Sequence, residues 1–206
     1  MAQYFEIHPV NPQLRLIHRS VEILNAGGII VYPTDSTYAL GCMLDNKSGV
    51  ERMRRIRNVD DEHNFTLVCR DLSDVGLYAK LDNQTYRTLK THSPGPYTFI
   101  VPSSRSVPRR LQHPRRRTIG LRVPACIITQ TLLAELGEPI ISSTLQLPQA
   151  DSPLCDPLEI REQLEHDVDL VIDAGPGDVE LTTVIKLTDG VEVLRAGKGD
   201  PTPFLH

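Results

Sequence analysis

Apolar side chains recur at helical spacing at Leu14, Ile17, Val21 and Leu24, and Gly27-Gly28 supplies a stop, which predicts an amphipathic helix ending there. The run Ile29-Ile30-Val31-Tyr32 is short, β-branched and closed by Pro33. It predicts a buried strand feeding the loop Thr34-Asp35-Ser36-Thr37-Tyr38. Further strands are expected at 65–69, 97–101, 119–123, 140–143, 170–172, 183–187 and 191–194. Helices are expected near 47–57, 84–91, 127–136 and 157–165, the last with Asp156 as its cap and Pro157 in its first turn.

Strands separated by helices imply crossover connections and a largely parallel sheet, whereas Thr188-Asp189-Gly190 between the last two strands reads as a hairpin turn. The expectation is one α/β domain over residues 1–206, with a mixed parallel and antiparallel twisted sheet. In such sheets ligands bind beyond strand ends, which directs attention to Thr34–Thr37 and Ser142–Thr144. The segment 102–117, with three prolines, six arginines and little apolar content, reads as a long mobile loop.

Composition adds bounds. With 206 residues, 40% apolar content and no run of twenty apolar positions, a membrane span is not expected, and MAQYFEIHPV lacks the basic and apolar halves of a secretory signal. A cytoplasmic protein is the reading. Cys42, Cys69, Cys126 and Cys155 are scattered with no CxxC pair, so they read as free thiols rather than disulfide partners or metal ligands. The formal charge of −4 hides a division: residues 83–134 hold nine basic and no acidic side chains, and 135–206 hold four basic and fifteen acidic ones. The middle third is therefore the candidate anion-binding region.

No nucleophile elbow, Walker A loop, GxGxxG fingerprint or HExxH helix is present. What remains is a set of hydroxyl-rich strand ends and arginines: Thr34–Tyr38, Arg52 to Arg57, Pro94–Thr98, Gly120–Pro124, Ser142–Thr144, Thr182-Thr183 and Arg195. Hydroxyls and guanidinium groups suit phosphate, because they donate hydrogen bonds to anionic oxygen without needing activation. Any one of these segments alone reads more readily as turn, cap or solvated surface.

Their order along the chain carries more. GGIIVYPTDSTYALGC, SPGPYTFIV, IGLRVP, TTVIKL and VLRAG together resemble, between about residues 20 and 197, the signature segments of the YrdC-like threonylcarbamoyl-AMP synthase family. The resemblance implies a twisted α/β sheet around a large basic cavity. It also implies a reaction joining L-threonine, bicarbonate and ATP into threonylcarbamoyl-AMP and pyrophosphate, for N6-threonylcarbamoylation of tRNA adenosine, with protein partners from that modification machinery. Carried over by position, threonine would meet Thr34, Thr37 and Tyr38, with His63 beside them. ATP would meet Arg55, Arg57, Thr98, Ser142, Thr144 and Gln146, with Thr183 and Arg195 at the nucleotide end. Arg55, Arg57 and Thr144 would carry the catalytic role. Mg²⁺ would arrive with ATP rather than on protein ligands.

Three positions depart from the family pattern: Arg55-Ile56-Arg57 stands for Lys-x-Arg, Thr144-Leu145-Gln146 for Ser-x-Asn, and Ala39 for a glycine. Arginine and lysine are not equivalent at a shaped phosphate site, so altered activity is an open reading, as is another carbamoyl- or adenylyl-transfer role. A further alternative is binding of tRNA or double-stranded RNA through Arg109, Arg110, Arg115, Arg116, Arg117 and Arg122, by shape and backbone contact rather than base stacking.

Overall fold

Side chains of a strand alternate between the two faces of its sheet, and here that alternation decides what is core and what is cavity. The computed structural model describes residues 1–60, 63–113 and 115–205. Its strands are β1 (Gln3–Glu6), β2 (Ile30–Tyr32), β3 (Ala39–Met43), β4 (Thr66–Val68), β5 (Tyr97–Pro102), β6 (Thr118–Arg122), β7 (Ile140–Thr144), β8 (Leu170–Asp173), β9 (Thr183–Leu187) and β10 (Val191–Arg195). The helices are α1 (Leu14–Asn25), α2 (Lys47–Arg57), α3 (Leu72–Tyr78), α4 (Asn83–His92), α5 (Ile127–Leu136) and α6 (Pro157–Leu164).

Among the described residues all strands join one open sheet in the order β1-β8-β2-β3-β7-β4-β6-β5-β9-β10. The pairs β1/β8, β2/β8, β4/β6 and β5/β9 are parallel and the other neighbours antiparallel. The mixed sheet is as the strand and helix pattern predicts.

On one face, Leu67, Phe99, Leu121, Ile141 and Ile185 form an apolar layer with Val50 and Met53 of α2, Val75 of α3, Leu89 of α4 and Ile160 of α6. On the other, Ile30, Tyr32, Val68, Ile140, Leu170 and Ile172 pack against Ile17 and Leu24 of α1 and Ile128, Leu132 and Leu133 of α5. Each fully buried side chain of this kind contributes about 1.5–3 kcal/mol. The first layer extends from β8 and β2 across to β9, whereas the second stops near β4, so much of the opposite face of β4, β6, β5 and β9 is released for polar use. There the alternate residues Thr66, Thr98, Thr118, Gly120, Arg122 and Lys186 line a cavity together with Val68, Ile100 and Val184.

Three elements are absent from the sequence expectation. β3 is buried along its whole length, yet its Ala-Leu-Gly-Cys-Met sequence has no β-branched residue; pairing with β2 and β7 makes it a strand. α3 is short and contains Gly76, which weakens the helical pattern, and the Asp71 side chain caps it by accepting from Ser73 N and Asp74 N. β1 lies at the sheet edge beside β8.

The hairpin β9/β10 forms with Gly190 at φ +125°. The segment after β5 departs from the free loop expected: apart from Pro114, which lies outside the described residues, it is tied down. Val107 and Leu111 are buried, Arg109–Leu111 form a 3₁₀ turn, Ser103 Oγ donates to Arg117 O (2.6 Å), and Ser104 Oγ donates to Leu77 O (2.6 Å). Two apolar anchors in an arginine-rich stretch leave no periodic signal. Among the described residues no helix is long and apolar enough to cross a membrane.

Candidate functional site

The cavity over the polar half of the sheet has a volume of about 420 Å³. Its lining includes Arg57, Arg116, Arg122, Lys186 and Arg195 as cations, His63 and His113 as imidazoles, and Thr37, Thr66, Thr98, Thr118, Ser142, Ser143, Thr144 and Thr182 as hydroxyls. No carboxylate is in the lining among the described residues.

Arg122, at the end of β6, organises one wall. It is 8% exposed, and its Nη2 donates to Thr34 Oγ1 (3.2 Å), to Ser36 Oγ (2.9 Å) and to the Asp35 carboxylate. The other Asp35 oxygen accepts from Ala125 N (2.9 Å), so Asp35 staples the loop after β2 to the end of β6. The Arg122 Nε is buried without a partner among the described residues. Thr34 is saturated inside this loop: its hydroxyl donates to Thr37 O (2.6 Å) and accepts from Ser36 N (3.1 Å). Thr37, by contrast, reaches the cavity.

Arg57, in the last turn of α2, donates from Nη1 to the Thr144 carbonyl and has a buried Nε with no partner among the described residues. Burial lowers its pKa. Opposite, Arg195 donates from Nε to Thr182 O (2.9 Å) and from Nη2 to Thr182 Oγ1 (3.1 Å), and Thr182 Oγ1 meets Thr98 Oγ1 at 2.9 Å. The Arg195 residue as a whole is exposed, but its guanidinium end lies among protein atoms; that burial first, and then the charge of Arg122, lowers its pKa. Cations that destabilise one another around a space without acid groups favour an anion between them.

His63 sits beside them, its Nε2 3.4 Å from Ser143 Oγ and its ring edge-on to Phe65. Burial first, then the fields of Arg57 and Arg54, hold its pKa below the ordinary histidine value. The unfolded chain therefore takes up a proton at His63 before the folded protein does, so acidification through about pH 6.5 favours unfolding. His63→Gln is expected to reduce the fall in urea midpoint between about pH 7 and about pH 5.5; an equal fall in both proteins would contradict this.

Of the residues singled out from sequence, Arg57, Thr37, His63, Thr98, Ser142, Thr144, Gln146, Arg116, Arg122 and Arg195 line this one cavity. Others do not. Arg55 is exposed, about 200° around α2 from Arg57. Tyr38 is 1% exposed, and its hydroxyl donates to Gly175 O (2.7 Å) and accepts from Ala174 N (3.0 Å), so it has no free group for a substrate. Thr183 points to the other side of β9, where its hydroxyl donates to Gly199 O and accepts from Gly197 N (2.9 Å). Thr34 acts through its loop, as above. Arg109, Arg110, Arg115 and Arg117 are exposed outside the lining, and Arg110 donates to Leu44 O (2.7 Å).

Thr66, Thr118 and Lys186, which the sequence does not single out, line the cavity, as does Ser143 within the candidate segment Ser142–Thr144. Thr118 carried a signal, because Thr118, Gly120 and Arg122 alternate with Ile119 and Leu121, whereas Thr66 and Lys186 share their faces with Val68 and Val184 and stand out less.

The family model Sua5_yciO_yrdC, described as telomere recombination, matches residues 22–197. The chain is 52% identical to the "Uncharacterized protein YciO" of Escherichia coli (strain K12) over 100% of both sequences, and the crystal structure of E. coli YciO superimposes with a TM-score of 0.96 over 100% of both chains. It is 26% identical to a threonylcarbamoyl-AMP synthase of Vibrio vulnificus (strain YJ016) over 88% of this chain and 98% of that one. The crystal structure of P. abyssi Sua5 complexed with L-threonine shares the fold at TM-score 0.86 and 21% identity, over 94% of this chain and 57% of that one.

Proposed function

From the premise that this chain belongs to the Sua5/YciO/YrdC family, we propose that it binds ATP in the polar cavity and uses it to activate a carboxylated amino acid, as a threonylcarbamoyl-AMP synthase does. The substrates in this reading are L-threonine, bicarbonate and ATP, and the products are threonylcarbamoyl-AMP, pyrophosphate and the water lost as the amine and bicarbonate form the carbamate. One observation carries it: five cationic and eight hydroxyl side chains face a single space of about 420 Å³ without a carboxylate among the described lining residues. That volume is in the range of small-molecule and cofactor sites.

The chemical step is attack of a carbamate oxygen on the α-phosphorus, forming the new P–O bond as the bond to pyrophosphate breaks. Carbamate is already anionic, so the protein needs no general base; positioning and charge neutralisation suffice. Arg57, Arg122 and Arg195 would hold phosphate oxygens, while the hydroxyls of Thr98, Ser142 and Thr144 would orient them. A Mg²⁺ carried by ATP would supply further neutralisation, with phosphate and water oxygens as its ligands, since the lining offers no carboxylate to it.

Purified protein with ATP, Mg²⁺, L-threonine and bicarbonate is expected to release pyrophosphate, with release depending on all three substrates. Release no greater than in a protein-free blank at saturating substrate would remove the enzymatic reading.

A second reading has its own observation. Arg105, Arg109, Arg115 and Arg117 are exposed on the segment whose Arg116 reaches the cavity, and no acidic residue interrupts 83–134. A tRNA or another structured RNA backbone could meet this surface, alone or with protein partners of tRNA modification. Binding to tRNA and duplex RNA should then weaken linearly with the logarithm of salt concentration. A flat response would exclude it.

A further inference from the structure

The signature segment contains a buried phenol that the proposed chemistry leaves without a role. Tyr32, the last residue of β2, is 0% exposed, and its hydroxyl lies 2.6 Å from Ser142 Oγ on β7. β3 runs between these two strands, so the ring must cross it. It does so over Gly41, where a Cβ would stand 2.8 Å from Tyr32 Cε1 and 3.3 Å from Ile140 Cδ1. The glycine in the middle of β3 thus leaves the trough in which the ring lies. Ser142, paired with Gly41 on one side and Thr66 on the other, lines the cavity.

Distance alone allows either oxygen to be the donor, but burial does not. Among the described residues Ser142 is the one hydrogen-bond partner of the Tyr32 hydroxyl, and a buried O–H left without an acceptor is more costly than one that donates. The phenol also stays protonated, since burial first raises its pKa to about 12. Tyr32 therefore donates, the Ser142 oxygen accepts, and the Ser142 proton is turned away from Tyr32.

We infer that Tyr32 is a positioning residue that fixes Ser142 as a hydrogen-bond donor into the cavity, so that the ligand group seated there must be an acceptor such as a phosphate oxygen. This deepens the proposed function and rests on its claim that the cavity takes a polyanion. Without the phenol, the serine hydroxyl is free to rotate and to donate elsewhere; the fixed donor is lost although the charges around the site are unchanged.

The test is a double-mutant cycle on the full chain with Tyr32→Phe and Ser142→Ala, read as the dissociation constants of Mg·ATP and of pyrophosphate. Phe keeps the ring and its packing over Gly41. Tyr32→Phe is expected to weaken binding about three- to tenfold, the worth of one net hydrogen bond, and to have no further effect in the Ser142→Ala background. In protein labelled at the tyrosine Cζ, the Tyr32 signal should also show the isotope shift of a hydroxyl proton protected from solvent. Unchanged affinity in Tyr32→Phe, the same loss in both backgrounds, or a freely exchanging Tyr32 proton would each overturn the inference. Wild-type protein that binds pyrophosphate but not ATP would remove the nucleotide reading alone, and the cycle read with pyrophosphate would still decide the role of Tyr32. Wild-type protein that binds neither overturns both.

Discussion

Arg122→Met is expected to destabilise the protein by about 3–5 kcal/mol, seen as a lower urea midpoint, because it leaves a carboxylate in a largely buried site without its counter-charge. The Arg122 and Asp35 side chains are 9% and 13% exposed. With Arg122 gone, Asp35 keeps the Ala125 N–H, and Ser36 Oγ loses the guanidinium donor it has now. The loop Thr34–Thr37, which that donor gathers, is released at the same time. Removing both charges restores the balance, so Asp35→Asn with Arg122→Met should recover part of the loss, while neither variant should bind a polyanion as the wild type does. A midpoint for Arg122→Met equal to that of the wild type would mean that the pair is a solvated one and does not staple the loop.

The second large effect falls on binding. Arg57→Ala is expected to weaken Mg·ATP about 10- to 100-fold, the worth of one lost charge-assisted interaction of about 1.5–3 kcal/mol. The Arg57 Nε is a buried donor without a partner among the described residues, and desolvation already disfavours its charge. An anion delivered to it relieves both. Arg57→Lys keeps the charge but loses the fork that holds the Thr144 carbonyl, so it should recover little. The destabilisation from Arg57→Ala should be small beside that of Arg122→Met, because among the described residues the Arg57 guanidinium has no carboxylate partner and removing it strands no counter-charge. Affinity unchanged by Arg57→Ala would place the phosphates elsewhere.

Much of the fold was legible because it rests on local pattern. The stop at Gly27-Gly28, the buried run at Ile29–Tyr32 and the caps at Asp156 and Pro157 act within a few residues, and the structure has α1, β2 and α6 there. β3 was not legible, because it lacks β-branched residues and its strand character comes from pairing with β2 on one side and, on the other, with β7, which lies far along the chain.

The site divides the same way. Arg57, Thr98, Ser142, Thr144 and Arg195 converge because their strands and helix end around one space. Tyr38 and Thr183 miss it for reasons of parity: alternation along a strand sends Thr183 inward and Val184 and Lys186 to the cavity, and the Tyr38 ring instead fills the space beside Gly177, where a Cβ would stand 2.7 Å from its Cδ2. A motif names a segment, and only the strand register says which of its side chains look outward. The alternation of β6, with Thr118, Gly120 and Arg122 on one face and Ile119 and Leu121 on the other, points to Thr118, whereas Val68 and Val184 on the cavity face of β4 and β9 mask Thr66 and Lys186.

A crystal of the protein soaked with Mg·ATP and L-threonine tests the central claim most directly. The account predicts triphosphate density inside the cavity, within hydrogen-bond distance of Arg57, Arg122 and Ser142. Nucleotide seated on the exposed arginines of residues 105–117 with the cavity vacant would contradict it.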